Sequence, residues 1–149
     1  MSNKLDNIDK LILEKLQLNA RITNSQLAKE IGLSPAPTLE RVKKLEQSGY
    51  ILGYHTEVST KHIGLDVAIY LQASLKGSSR KIMDNFSEKI NKIPEVVECH
   101  HVTGSADFLL KILTKDIESY NHFVLDKLID LDEIGNLQSM VVLSTLKNS

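Results

Sequence analysis

Hydrophobic positions recur at two different periods along this chain, and the change of period divides it. In LDNIDKLILEKLQ, Leu5, Ile8, Leu11, Ile12 and Leu16 return every three to four residues. That spacing predicts a helix with one buried stripe. TNSQLAKEIG predicts a second helix. Thr23 and Gln26 have the spacing of a capping box, Leu27 and Ile31 form the stripe, and Gly32 stands where helices commonly end. Ser34 opens a third helix as an N-cap whose hydroxyl can accept an orphan backbone N–H. Leu39, Val42 and Leu45 give that helix an inward face, while Pro37, Thr38, Arg41 and Lys44 point elsewhere. Gly49 stops it.

Pro35 and Pro37 fall at the first and third positions of this third helix. Proline is favoured at the first position, and N–H groups in the first turn have no intrahelical partner to lose. The prolines therefore stiffen the turn without removing a helical hydrogen bond. Three short helices, with a Gly-containing turn between the second and third, outline a helix-turn-helix.

From Tyr50 the period shortens. YILGYHTEVS reads as a strand and STKHIGL as a turn-rich connector. Val67, Ile69, Leu71, Ala73 and Leu75 alternate at period two and predict a strand. SSRKIMDNFSEKINKI predicts a helix with Ile82, Met83, Phe86 and Ile90 inward, ended before Pro94. VVECHHV and DFLLKILT predict two strands joined by the tight turn TGSA. DIESYNHFVLDKLIDL predicts one helix with Tyr120, Phe123, Val124, Leu128 and Leu131 on one side, and LQSMVVLSTL a last strand.

The order is β-α-β-β-α-β, that of a ferredoxin-like domain. Its strand–helix–strand units predict parallel neighbours, and its middle strands a hairpin. The expected fold class is α+β. A three-helix, winged-helix-like helix-turn-helix spans 1–50, a strand and linker 51–64, and a ferredoxin-like domain 65–149.

Composition changes this picture little. Hydrophobic residues make up 42% and charged residues 25% of the 149, as in ordinary globular proteins. The net charge of −1 argues for neither nucleic acid nor membrane. The first 60 residues carry eight basic side chains against seven acidic, which permits a DNA-binding half without demonstrating one. One cysteine, Cys99, excludes an intrachain disulfide and fits a reducing compartment. The N-terminus mixes charges into its apolar positions, unlike a signal peptide, and no apolar run approaches the ~20 residues that span a bilayer. The expectation is a cytoplasmic protein without a membrane partner.

Candidate chemistry lies in two places. The N-terminal end of the third helix presents free N–H groups and a positive dipole end, which suit phosphate. Ser34, Pro35, Ala36, Pro37 and Thr38 form that turn. Arg41 can reach a guanine edge or a phosphate, and Lys44 suits phosphate. A pre-set turn lowers the ordering cost of a close approach to DNA. The second place is HVTGSADFLLKI. From the residues alone, Gly104 is a turn glycine and Asp107 an ordinary turn carboxylate.

Cys99, His100 and His101 invite a metal reading. Alternation puts Cys99 and His101 on one face, however, and two ligands fall short of the four that structural zinc takes. No metal or cofactor is expected. The chain has no Gly-rich phosphate loop and no nucleophile-plus-base signature, so it is not expected to be an enzyme.

GLSPAPTLERVKKLEQSGYILGY resembles the helix-turn-helix of the Lrp/AsnC, or feast/famine, transcriptional regulators. The family pattern is matched at Ser34, Pro35, Pro37, Arg41, Val42, Lys43, Leu45, Glu46, Gly49 and Ile51, and its opening at Leu5, Asp6, Asp9, Ile12 and Leu13. The resemblance covers essentially the whole chain. It implies a sequence-specific regulator that binds double-stranded DNA and responds to a small amino-acid effector. It also implies a homodimer that assembles further, to an octamer.

By the same resemblance, Thr103, Gly104, Ser105, Ala106 and Asp107 hold the effector, with Leu137 and Ser139 in the last strand. Family members often carry a bulkier or charged pair where this chain has Ser105 and Ala106, and Thr where it has Leu137. A smaller, more apolar wall suits a side chain such as that of Leu or Met. The alternative is an oligomeric amino-acid-binding adaptor that does not bind DNA.

Overall fold

The structure is a computed structural model that describes residues 4–147; the outermost residues of both expected domains lie outside the described residues. The chain divides into two compact units, Met1–Val58 and Ser59–Ser149. In the first, α1 spans Asn7–Leu18, α2 Asn24–Ile31 and α3 Pro35–Gln47. Asp6 caps α1: it accepts the Asp9 N–H, while the Asp9 carboxylate accepts the N–H of Asp6. Thr23 and Gln26 form the expected reciprocal cap on α2, and Gly32 ends that helix in the left-handed region. Ile12, Leu27, Ile31 and Leu45 are the buried centre, packed by Leu5, Ile8, Leu16, Ile22 and Val42.

The first turn of α3 corrects two expectations. Ser34 is the N-cap residue, yet its side chain makes no capping bond. Pro37, at the third helical position, lacks the N–H that such a hydroxyl would accept. Instead the Thr38 hydroxyl donates to the Ser34 carbonyl at 2.9 Å. A hydroxyl satisfied by its own helix can be buried, and Thr38 is fully buried. Thr38 takes the inward position expected of Leu39, which is 43% exposed. At the other end Gly49, at φ 74°, lets the N–H groups of Gly49 and Tyr50 turn back to the Glu46 and Leu45 carbonyls.

YILGYHTEVS does not form the expected strand; residues 51–59 have no regular structure. Alternation alone does not make a strand, because its backbone groups need a neighbour. Among the described residues of this unit there is no other strand to supply one.

In the second unit a short 3-10 turn at Lys61–Ile63 precedes β1 (Val67–Leu75), α4 (Arg80–Ile90), β2 (Val96–His101), β3 (Phe108–Thr114), α5 (Ile117–Phe123) and β4 (Ile134–Val141). The strands form one sheet in the order β2-β3-β1-β4. Every neighbouring pair is antiparallel. The expectation of adjacent parallel strands is thereby corrected. β1 and β2 do run parallel across α4, but β3 is inserted between them.

Ile69, Leu71 and Ala73 of β1 share a buried face with Phe108, Leu110 and Ile112 of β3. Phe86 and Ile90 of α4, with Tyr120 and Phe123 of α5, cover it. The opposite face presents Ala68, Tyr70, Gln72, Leu109, Lys111 and Met140, all half-buried or exposed.

Two boundaries also differ. β4 starts at Ile134, earlier than expected. The second long helix runs on without a gap but changes its winding: α5 passes into a π-helical turn over Val124–Leu128, where the Ile129 N–H reaches the Val124 carbonyl at 3.0 Å. That longer step keeps both Phe123 and Leu128 in the core.

Candidate functional site

α3 has two unlike faces. Thr38, Val42 and Leu45, at i, i+4 and i+7, face the unit's interior. Ala36, Glu40, Lys43 and Gln47 repeat the same spacing on the outside and are all exposed, as are Ser34, Pro35 and Lys44. Pro37 is half-buried. Its first turn is braced from α2, because the Asn24 side-chain amide donates to the Pro35 carbonyl at 2.8 Å. The N-terminal end of α3 is thus both stiffened by proline and tied to the preceding helix.

Arg41 does not extend from this outer face. Its Nη1 donates to Asp6 Oδ2 and Asp9 Oδ1, each at 2.7 Å. The same two carboxylates cap α1 with their other oxygens, Asp6 Oδ1 on the Asp9 N–H and Asp9 Oδ2 on the Asp6 N–H. The Asp9 N–H bond and the Arg41 guanidinium hold the Asp6 carboxyl below the usual aspartate range. The two carboxylates raise Arg41 in turn.

Of the residues expected to meet DNA, Thr38 is fully buried, with its hydroxyl turned to the Ser34 carbonyl. Lys43, Glu40 and Gln47 were absent from that expectation, and the 3.6-residue period measured from Leu45 would have found them.

In the second unit the β2–β3 connection brings Thr103, Gly104, Ser105, Ala106 and Asp107 to one end of the sheet. Gly104 has φ 123°, which side-chain-bearing residues rarely adopt. The loop is stitched to β1: the Asp107 N–H donates to the Ala73 carbonyl at 3.1 Å, and Asp107 Oδ2 accepts the Leu75 N–H at 2.8 Å. The Ser74 hydroxyl reaches the Ser105 carbonyl at 3.4 Å.

Ala73 also pairs with Leu137 of β4, so Leu137 lies two strands across from Asp107 at the same sheet end. Ser139 pairs with Leu71, one step further in, and its hydroxyl meets the Tyr120 hydroxyl of α5. One oxygen of Asp107 is therefore already engaged by its own chain, and the Ser139 hydroxyl is shared with α5.

Cys99 packs against the core, where burial pushes its thiol up, and the His101 ring stacks on Phe108 at 5.1 Å. Among the described residues no group of three or more His, Cys, Asp or Glu side chains is placed to hold a metal ion. Among them, too, no helix is long and apolar enough to cross a membrane.

Comparison with known proteins agrees with this division. Residues 5–51 match the winged helix-turn-helix DNA-binding model, and residues 68–149 match the Lrp/AsnC ligand-binding domain. The chain is 41% identical to the transcriptional regulator AzlB of Bacillus subtilis, over all of this chain and 95% of that one. It is 34% identical to the leucine-responsive regulatory protein of Escherichia coli, over 97% of this chain and 88% of that one.

Among solved structures, the Neisseria meningitidis transcriptional regulator NMB0573, in complex with L-Met, superposes with a TM-score of 0.94 at 34% identity. That match covers 98% of this chain and 94% of the other. Escherichia coli AsnC gives 0.90 at 33% identity, covering 98% and 97%. The chain belongs to the Lrp/AsnC family of transcriptional regulators.

Proposed function

We propose that this regulator meets duplex DNA with the outer face of α3 and takes an amino acid at the Thr103–Asp107 loop. The observation that carries the first half is the two-faced α3. Ser34, Pro35, Ala36 and Pro37 form a braced N-terminal turn, and Lys43 and Lys44 stand exposed beyond it. Recognition helices contact base edges through their N-terminal residues, and lysines supply phosphate contacts. Arg41 serves this face indirectly, by fixing α3 against α1. One short helix reads few base pairs, so two chains are needed to read paired half-sites.

Two copies pair through the open face of the sheet, around Tyr70, Leu109 and Met140. Exposed Leu52 and Val58 add apolar surface for self-association. Assembly of such dimers to an octamer follows the family, and the cell compartment is the cytoplasm.

For the ligand half, the solved Neisseria relative is a complex with L-Met. In this chain Asp107 suits the α-ammonium, loop N–H groups suit the carboxylate, and Ser105, Ala106 and Leu137 leave room for an apolar side chain. The amino acid changes DNA binding or assembly only through unequal affinity for the two states. Calorimetry of the full chain with L-methionine, L-leucine and charged amino acids tests this. Tight binding of an apolar amino acid, abolished in Asp107→Ala, supports the reading; binding of only charged amino acids contradicts it.

A further inference from the structure

The first two turns of α3 contain Glu40 and Arg41 as their ionisable side chains. Arg41 is turned away from the outer face, held by Asp6 and Asp9 at 2.7 Å each. The charge that remains on that part of the face is therefore a carboxylate. Glu40 is exposed and shares a stripe with Ala36, four residues before it, and Lys43, three after it.

Other carboxylates of this unit are engaged. Asp6 and Asp9 bind Arg41, Glu30 lies 2.9 Å from Lys15 Nζ, and Glu46 accepts the Tyr54 hydroxyl at 2.8 Å. Glu40 makes no ion pair among the described residues, although Lys43 and Lys44 stand at spacings from which a lysine can reach it. Duplex DNA carries a negative charge about every 1.7 Å of its axis. A carboxylate facing it is repelled by the phosphates and gains only by accepting a hydrogen bond from a base. In the major groove the base donors are the amino groups of cytosine and adenine. Adenine sets the acceptor N7 beside its amino group, which repels a carboxylate, whereas cytosine offers the donor alone.

We propose that Glu40 is a specificity-determining residue of α3, accepting a hydrogen bond from the exocyclic amino group of a cytosine in the major groove. This rests on the reading that the outer face of α3 meets duplex DNA, and adds what that face selects. Lys43 and Lys44 supply an attraction to phosphate that is blind to sequence. Glu40 subtracts from it at every site except one that places a cytosine within its reach. Selectivity then comes from a penalty on wrong sites as much as from a bond at the right one.

The test is selection from a pool of random duplexes by the full chain, sequenced for the wild type, Glu40→Ala and Glu40→Gln. Glu40 is exposed, so both variants keep the fold. Anisotropy titration then compares the selected site with versions carrying each other base, or N4-methylcytosine, at the selected cytosine. The methyl group blocks the amino hydrogen that faces the groove. The expected result is a cytosine at a fixed position of each half-site, preferred about tenfold by the wild type and not at all by Glu40→Ala. N4-methylcytosine there weakens the wild type about tenfold and leaves Glu40→Ala unchanged.

Selection of the same sequences by wild type and Glu40→Ala, with all affinities rising together in the variant, overturns the proposal: the carboxylate then only adds repulsion. Lys43→Ala, titrated on the same duplexes, separates this failure from failure of the α3 reading. A smaller salt slope in Lys43→Ala with an unchanged base preference in Glu40→Ala keeps α3 on the DNA and removes only the role of Glu40. An unchanged slope together with an unchanged preference removes both, as does the absence of any DNA binding.

Discussion

The Arg41 guanidinium lies 2.7 Å from carboxylate oxygens of both Asp6 and Asp9, the two residues that cap α1. Each carboxylate gives one oxygen to the cap and the other to Arg41. The start of the first helix and the middle of the third are thereby set by a single cluster of charges. Arg41→Ala is expected to lower the melting temperature of the protein. Adding Asp6→Asn costs little more, because Asn caps a helix as well as Asp and its charged partner is already gone. Additive losses in thermal unfolding would show that the two groups do not act together.

The same cluster sets an acid dependence. The folded-state value of Asp6 lies below its ordinary 3.8. Folding then favours the ionised form, so the stabilisation is complete above the ordinary value and lost as pH falls through the depressed one. Stability of the wild type should fall below pH ~4 more steeply than that of Asp6→Asn. Urea unfolding at a series of pH values between about 2 and 6 measures the difference.

The buried Thr38 hydroxyl ties the first turn of α3 to its N-cap residue. Thr38→Val keeps the shape and removes the hydroxyl that donates to the Ser34 carbonyl. The expected cost is about 1 kcal/mol in urea unfolding. Affinity for DNA under conditions where both proteins are fully folded should be unchanged.

Asp107 has a structural and a proposed binding role, which its two substitutions separate. Asp107→Asn keeps an acceptor for the Leu75 N–H but removes the charge that would meet an ammonium. It should therefore retain its melting temperature within a few degrees while losing about tenfold or more in amino-acid affinity. Asp107→Ala loses both. Equal affinity in Asp107→Asn and the wild type would remove Asp107 from the site.

Much of this architecture was legible in the sequence because local rules and tertiary packing agree there. The capping box at Thr23 and Gln26, the left-handed Gly32 and the alternation from Val67 to Leu75 each survive in the fold. The failures fall where a distant partner decides. Leu39 and Thr38 exchange faces because a hydroxyl can satisfy itself on the preceding turn. Residues 51–58 read like a strand but, among the described residues, have no strand beside them in their own unit.

Arg41 reads as a free cation in any local window, since Asp6 and Asp9 lie more than 30 residues away in sequence. The π turn is hidden for a related reason: apolar residues at 120, 123, 124, 128 and 131 fit an ordinary helix nearly as well. The candidate ligand loop was legible only through the family resemblance, since Gly104 and Asp107 by themselves read as an ordinary turn, and its ties to Ala73 and Leu75 depend on which strand lies alongside.

The central claim is that the outer face of α3 meets duplex DNA. Fluorescence anisotropy of a labelled pool of random duplexes, titrated across a salt series with and without an amino-acid mixture, tests it most directly. The comparison is wild type against Lys43→Ala and Lys44→Ala. The account predicts binding that weakens steeply with salt, and a salt slope smaller by about one for each lysine removed. Binding unchanged in both variants, or no binding at low salt in either condition, would contradict it.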